Sequence, residues 1–302
     1  SPQSSRRAAR GDPSCAVRLR SPEMPSTLSV FHPSDFSEAS QVAFHHALKI
    51  ALAGESRLTI LHTDAPGGTY ARWDDFPSVR AVLERWQLLE PESTKAEVKE
   101  QLGIEVEKVE LLGTDPVETM AQFLDRHPAD LLVLATHGRE GLPRFLRGSV
   151  AEPLARRAMT MSLFVPNGVS GFVDADDGSV RLARVLVPFD HEPDPLPAIK
   201  AAIALSTALG AFDAAIELLH VGDGEPPSFD SEDLGGHGVE IHRRGGGVVE
   251  AILEHATSRA CGLIVMATEG RDGILDALRG STTEQVLRRA PCPVLAVPAP
   301  IG

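Results

Sequence analysis

Residues 135–166 read ATHGREGLPRFLRGSVAEPLARRAMTMSLFVP, and residues 267–298 read ATEGRDGILDALRGSTTEQVLRRAPCPVLAVP. The two segments align without a gap at an offset of 132 residues, and 16 of the 32 aligned positions are identical. Self-similarity at a fixed offset is typical of a repeated structural unit. At 302 residues, the chain is also longer than a usual single domain of about 100 to 200 residues. The sequence therefore predicts two related domains produced by a gene duplication.

Each half alternates short apolar runs with segments of helical spacing, which predicts a parallel sheet covered by helices on both faces. The predicted strands are 28–32, 58–62, 106–112, 131–134 and 163–165 in the first half, and 185–187, 216–220, 239–242, 263–266 and 294–297 in the second. The predicted helices of the first half are 38–53, 117–126 and 150–158. The predicted fold class is α/β, with two tandem doubly wound, five-stranded parallel sheets.

Composition divides the chain into four predicted parts. Residues 1–26 are rich in Arg, Ser and Pro and lack the apolar core of a secretory signal, which predicts a disordered tail. Residues 27–166 and 184–300 are the predicted domains, and the Gly- and Asp-rich stretch 167–183 is the predicted linker. We also hypothesise that the native start is Met24, which mass spectrometry of the protein from its source would test.

The first half contains a segment, 64–101, that is longer than its equivalent in the second half. It carries Tyr70, Trp73 and Trp86. The segment predicts either a packed extra helix or a lid over a crevice. We favour packing, because isolated aromatic residues usually serve cores.

The overall charge narrows the classes of ligand. The chain has 29 basic and 42 acidic residues and a formal net charge of -13, which disfavours binding to nucleic acid or to an anionic membrane. Apolar runs fall short of the roughly 18 to 20 residues that span a bilayer.

The cysteines, at positions 15, 261 and 292, form no close-spaced pair, which favours a reducing, cytoplasmic location. Histidines do not show zinc-ligand spacing either, so a metal site is not expected.

Ligands of doubly wound sheets bind beyond the carboxyl ends of the strands. After the fourth predicted strand, the first half has Gly138, nine residues, and then Gly148-Ser149; the second half has Gly270, nine residues, and then Gly280-Ser281. Glycines let the backbone approach an anion closely, and the N–H groups of a helix start favour phosphate. These loops are therefore candidate phosphate sites on an acidic protein.

The loops resemble those of the universal stress protein family, whose ATP-binding members carry Gly-x2-Gly-x9-Gly-Ser/Thr after the fourth strand and Pro-x-Asp after the first. Both halves match except at the first Gly, where Ala135 and Ala267 stand. The resemblance covers most of 28–165 and 184–298. It implies an adenine nucleotide alpha hydrolase-like (Rossmann-like) fold, in which the two halves pack through their fifth strands as a pseudo-dimer.

The resemblance also implies a ligand and its contacts. The ligand is ATP, with Mg²⁺ bound through its phosphates as an option, or another adenine nucleotide. Asp35 and the backbone around Thr63 would face the base and ribose, while the Gly loop would hold the phosphates. The implied binding residues are Pro33, Asp35, Thr63, Ala135, Gly138, Gly148, Ser149 and Val150 in the first half, and Asp190, Val221, Gly270, Gly280, Ser281 and Thr282 in the second.

Helix capping offers an alternative interpretation of the same polar residues. Ser149, Ser281 and Asp35 are each followed three positions later by Glu, which is the pattern of a capping box and requires no nucleotide. Glu269, at the position of His137 in the first half, places a carboxylate beside the second phosphate loop and should repel ATP. We therefore expect tighter binding in the first half.

The expected function is a nucleotide-binding module in stress response or signalling, with a protein partner that the sequence does not identify. A nucleotide-independent interaction module is the alternative, and assembly into a homo-oligomer stays open. Enzymatic activity beyond slow ATP hydrolysis is not expected, because the candidate loops hold no lysine or obvious general base. The chain also lacks a Gly-x4-Gly-Lys-Ser/Thr loop and a Gly-x-Ser-x-Gly elbow.

Overall fold

The structure, a computed structural model, describes residues 27–64, 73–136, 150–230, 233–268 and 282–298. The strands are β1 (Thr27–Pro33), β2 (Glu55–Asp64), β3 (Ile104–Leu112), β4 (Leu131–Thr136), β5 (Met161–Pro166), β6 (Arg184–Pro188), β7 (Ala215–Val221), β8 (Val239–Arg244), β9 (Leu263–Thr268) and β10 (Val294–Pro298). The described α-helices are α1 (Glu38–Ala51), α2 (Val79–Arg85), α3 (Lys95–Leu102), α4 (Pro116–Arg126), α5 (Ala151–Ala158), α6 (Leu196–Ala208), α7 (Val248–Ser258) and α8 (Thr282–Arg289). In this part of the chain, no helix is long and apolar enough to cross a membrane.

All ten strands join in one sheet in the order β3-β2-β1-β4-β5-β10-β9-β6-β7-β8. Within each half the neighbouring strands are parallel, and the strand order reverses direction between β1 and β4 and again between β6 and β9. The predicted α/β class and the five strands per half are confirmed. The reversals matter because they open a crevice at the carboxyl ends of the strands.

The two halves meet through their fifth strands. β5 and β10 pair antiparallel, with Phe164 opposite Val294 and Leu163 opposite Leu295. This pairing is the contact that the family resemblance implied, and it removes an exposed apolar edge from each half. Because the pair lies at the centre of the sheet, elements of the first half that follow β4 come close to the second half.

Apolar side chains form one core on each face of the sheet. One core contains side chains of α1, of α6, and of the extra segment 64–101 and the linker 167–183. The other contains side chains of α4, α5, α7 and α8. Neighbouring residues of β1 show the alternation: Val30 belongs to the first core and Phe31 to the second. Since both cores draw on both halves, the sheet and its two helical layers pack as a continuous unit.

The extra segment of the first half packs on the face that carries α1. Phe76, Val82, Leu83 and Trp86 are buried there. The indole Nε1–H of Trp86 donates to the carbonyl of Ala175 at 3.1 Å. The described part of the segment is therefore packed structure, as favoured from its aromatic content. Tyr70 lies outside the described residues.

The predicted linker, 167–183, also packs against the first half. Phe172 and Val173 are buried, and the Phe172 N–H donates to His46 Nε2 at 3.0 Å. His46 in turn donates from Nδ1 to the Val42 carbonyl at 2.8 Å, which fixes its neutral tautomer. Burial lowers the pKa of His46 to about 4. A stretch with the composition of a flexible linker is thus held by a buried histidine.

Candidate functional site

A cavity of about 360 Å³ opens at the carboxyl ends of the second half's strands, beside the reversal between β6 and β9. Ligand pockets typically measure about 300 to 1,000 Å³. The ends of β6, β7, β9 and β10 supply one side of the lining, and the amino ends of α7 and α8 supply another. Of the residues predicted for this half, Asp190, Val221 and Thr282 line the cavity. Gly270, Gly280 and Ser281 lie outside the described residues, as does Glu269.

The polar groups of the cavity are distributed between its mouth and its helix end. Asp190 is exposed, and one of its carboxylate oxygens accepts the His191 backbone N–H at 2.8 Å. Thr282 begins α8, where the first backbone N–H groups have no partner within the helix. A carboxylate that can accept from hydroxyl groups therefore faces a helix start that favours anions.

The first half contributes a cation to the second half's cavity. Arg156 on α5 lines the cavity together with Ala155 and Thr160. Its Nε is buried and has no hydrogen-bond partner among the described residues, and the contact of Nη2 with Glu152 is long, at 4.0 Å. A guanidinium in this position can donate to a phosphate. The sequence patterns did not point to Arg156, because its approach depends on the pairing of β5 with β10.

Ala267 stands where the family motif has Gly, and its methyl group adds bulk that a glycine lacks. The residue lines the cavity, which keeps its volume of about 360 Å³ with the methyl group in place. The substitution therefore does not close the site.

The equivalent crevice of the first half is also assembled from strand ends. Pro33 ends β1, Thr63 and Ala135 lie near the ends of β2 and β4, and Val150 precedes α5. The hydroxyl oxygens of Thr63 and Thr136 are buried and have no hydrogen-bond partner in the part of the chain that the structure describes. Gly138, Gly148 and Ser149 lie outside that part, so their predicted role stays a prediction.

The interpretation of Asp35 as a helix cap is wrong. Ser37 caps α1, since its side chain accepts the Ser40 N–H at 3.2 Å. Asp35 accepts instead from the backbone N–H and the hydroxyl of Ser37, at 3.0 and 2.6 Å, and remains exposed. The adjacent Phe36 has a φ of 62° and stacks on His62 at 4.3 Å. The hydrogen bonds from Ser37 and the stacking of Phe36 on His62 therefore fix the short turn that carries Asp35.

A protein family model described as the universal stress protein family matches residues 30–166 and 229–298. This chain belongs to the universal stress protein family. Universal stress protein MJ0531 of Methanocaldococcus jannaschii is 30% identical over 136 residues, covering 42% of this chain and 74% of that relative. The crystal structure of a universal stress protein from Archaeoglobus fulgidus covers 92% of this chain and 98% of its own, with a TM-score of 0.61 and 20% identity, and shares the fold.

A further universal stress protein, solved in complex with cAMP, covers 47% of this chain and 98% of its own at 26% identity and a TM-score of 0.32. The two matched regions of the family model fall one in each half, which supports the tandem arrangement deduced from the repeat.

Proposed function

We propose that this universal stress protein binds an adenine nucleotide in its second half and acts through the bound state in stress response or signalling. The observation that carries the proposal is the cavity of about 360 Å³, which joins Asp190 and Val221 at one end to the start of α8 at the other. The family resemblance assigns the base and ribose to the first pair and the phosphates to the Gly loop that precedes α8. We base this proposal on the cavity of the second half, whereas the sequence predicts tighter binding in the first half, and a binding measurement decides between the two.

The charges of the lining suit a phosphate that is held locally. The protein as a whole is acidic, so an anionic ligand requires nearby donors. The start of α8 supplies backbone N–H groups, and Arg156 supplies a partly buried cation from the first half. Mg²⁺ would accompany the nucleotide through its phosphates, since this ion usually keeps several waters and few protein ligands.

We propose binding without rapid turnover. The carboxylates that line the cavity, Asp190 and Glu192, are exposed residues of the loop after β6, and no lysine is present among the described lining residues. Phosphoryl transfer generally needs positioned cations and a residue that orients the attacking water. A phosphate-release assay with purified protein should therefore show little ATP hydrolysis, and enzyme-like turnover would contradict this part of the proposal.

The ligand content of the protein as isolated is the first test. Acid extraction followed by chromatography identifies a retained nucleotide, and calorimetric titration of emptied protein with ATP, AMP and cAMP measures its affinity and preference. Protein that contains no nucleotide and binds none of the three would favour the alternative function, a nucleotide-independent interaction module.

A matched pair of variants locates the site. Val221→Phe places a large ring in the cavity, whereas Thr63→Phe makes the equivalent change in the first half. We expect Val221→Phe to weaken ATP binding at least about tenfold, because the added ring occupies the volume that the ligand needs. Thr63→Phe should leave this affinity unchanged. The opposite result would return the site to the first half.

A further inference from the structure

A second cluster of polar side chains lies near the carboxyl end of α7, whose amino end borders the cavity. It brings together Glu217 on β7, His242 on β8 and His255 on α7, and one ligand atom from each lies within 4.8 Å of the others. Glu217 and His255 are buried, and His242 is partly exposed on the outer strand of the sheet. Two imidazoles and a carboxylate are a common ligand set for zinc.

The distances within the cluster are close to those of a tetrahedral metal centre. Glu217 Oε2 lies 2.7 Å from His255 Nε2 and 3.9 Å from His242 Nε2. His242 Nε2 also lies 3.5 Å from Glu240 Oε2. Zinc bonds of about 2.0 to 2.1 Å at tetrahedral angles separate neighbouring ligand atoms by about 3.3 Å. Both separations from Glu217 Oε2 therefore reach this value with a shift of less than about 1 Å.

Two arginines fix the orientation of the carboxylate. Arg259 contacts Glu217 Oε1 through Nη2 at 2.8 Å, and Arg184 Nε lies 3.2 Å from the same oxygen. Arg259 Nη2 also donates to Glu240 Oε2 at 3.2 Å. Oε1 makes the shorter arginine contacts, while Oε2 accepts a longer one from Arg259 Nε at 3.3 Å and faces the imidazoles. His242 Nε2 has no hydrogen-bond partner among the described residues. At metal sites, hydrogen-bond partners of this kind hold the metal-binding side chains in place.

The duplication shows that the fold does not require these charges. The strand register and the offset of 132 residues place Thr59, Val109 and Phe123 of the first half at the positions of Glu217, His242 and His255. The first half thus forms the same layer without a buried ionisable group. Burying a carboxylate is costly even when it is paired, so its presence in the second half alone calls for a role beyond packing.

We propose that Glu217, His242 and His255 form a zinc site, with a water molecule as the fourth ligand. Nitrogen and carboxylate donors in this combination suit zinc better than magnesium or calcium, which prefer oxygen alone. The exposed side of His242 on β8 provides the route of access. The proposal stands apart from the nucleotide site, and either can fail without the other.

The test uses the full chain without a histidine tag, in a Cys15→Ser background that removes one thiol from the competition for zinc. Burial raises the pKa of Cys261 to about 11 and also raises that of Cys292, so these thiols stay protonated. Zinc affinity is measured by competition with a chromophoric chelator, and cobalt(II) absorption reports a tetrahedral centre. Wild-type protein should bind one zinc ion per chain.

The variants separate a metal site from a hydrogen-bonded network. His242→Gln removes a partly exposed ligand and should weaken zinc binding at least about tenfold and abolish the cobalt spectrum. His237→Gln, an exposed histidine of the same half, is the control and should behave as wild type. Added zinc should raise the melting temperature of wild type and control, but not that of His242→Gln. Equal binding by both variants, or no effect of zinc on any of the three, would show a network only and overturn the proposal.

Discussion

The two halves of this universal stress protein keep the same framework but surround it differently. Both have the strand order of a doubly wound sheet. In both, an ion pair at equivalent positions joins the last two described helices: Glu118 to Arg157 at 3.1 Å joins α4 to α5, and Glu250 to Arg289 at 2.9 Å joins α7 to α8. The first half adds packed structure outside the sheet, whereas the second half has the open cavity and the buried polar cluster.

This difference indicates a division of roles after duplication. The extra segment and the connector 167–183 extend the core of the first half, whereas the proposed nucleotide site lies in the second half. The second half lacks these additions and retains space and charge at its strand ends. The contribution of Arg156 to the cavity shows that the division is not complete, since the site draws on both halves.

The largest expected effect concerns the connector. Phe172→Ala should destabilise the protein by about 3 to 5 kcal/mol, because the ring is almost fully buried and its loss leaves a cavity beside His46. Phe212→Ala is the control in the second half, where the ring is 77% exposed, and should change stability by no more than about 0.5 kcal/mol. Urea unfolding measures both. Equal effects would mean that the connector is a loose linker after all.

The second prediction concerns acid stability, which should be limited by the first half. Burial lowers the pKa of His32 and of His46 from 6.5 to about 4. Between these values the unfolded chain binds more protons than the folded one, so stability is complete above about pH 6.5 and is lost as the pH falls towards 4. Each histidine should remove about 3 kcal/mol over this range, at 1.36 kcal/mol per pKa unit.

Both tryptophans of the chain, Trp73 and Trp86, lie in the first half and report its unfolding by fluorescence. The stability of a His46→Gln variant should fall less steeply between about pH 7 and about pH 4 than that of wild type. His237→Gln, which changes an exposed histidine, should follow the wild-type curve. If His46→Gln and wild type lose stability in parallel, the buried histidine is not the titrating group.

The strands were predictable because buried parallel strands are nearly continuous apolar runs, as in 131–134. The packing of the connector was not predictable from the sequence. It depends on His46, more than a hundred residues away, and on three buried apolar side chains within a polar stretch, Phe172, Val173 and Leu182. The alternative interpretation of Asp35 as a helix cap was wrong because Ser37, two positions later, caps α1. Local sequence patterns predict strands well, but they do not predict which of two nearby polar residues caps a helix.

Site residues followed the same rule. Asp190, Val221 and Thr282 could be placed at the cavity because the family motif is local to strand ends. Glu217 and His242 escaped notice because only the pairing of β7 with β8 brings them close, as diagonal neighbours with Glu217 opposite Glu240 and Leu219 opposite His242. A search for ionisable residues at neighbouring positions of adjacent predicted strands could have found them.

The smallest expected effect tests whether the halves share one site. Arg156→Ala should weaken ATP binding by about tenfold to a hundredfold, the range that corresponds to about 1.5 to 3 kcal/mol for a hydrogen bond to a charged group. Binding of adenosine, which has no phosphate, should not change.

The matched control is Arg288→Ala, because Arg288 occupies the duplicated position, pairs with Glu284 and is exposed. Among the described residues Arg156 makes one ion-pair contact, the long one with Glu152, so its removal should leave the fold intact, which a melting curve checks. A loss shared equally by ATP and adenosine would assign Arg156 a packing role, and a loss of the same size in Arg288→Ala would indicate a general charge effect. A loss confined to Arg156→Ala and to ATP would mean that the second half's nucleotide site depends on the first half through the pairing of β5 with β10.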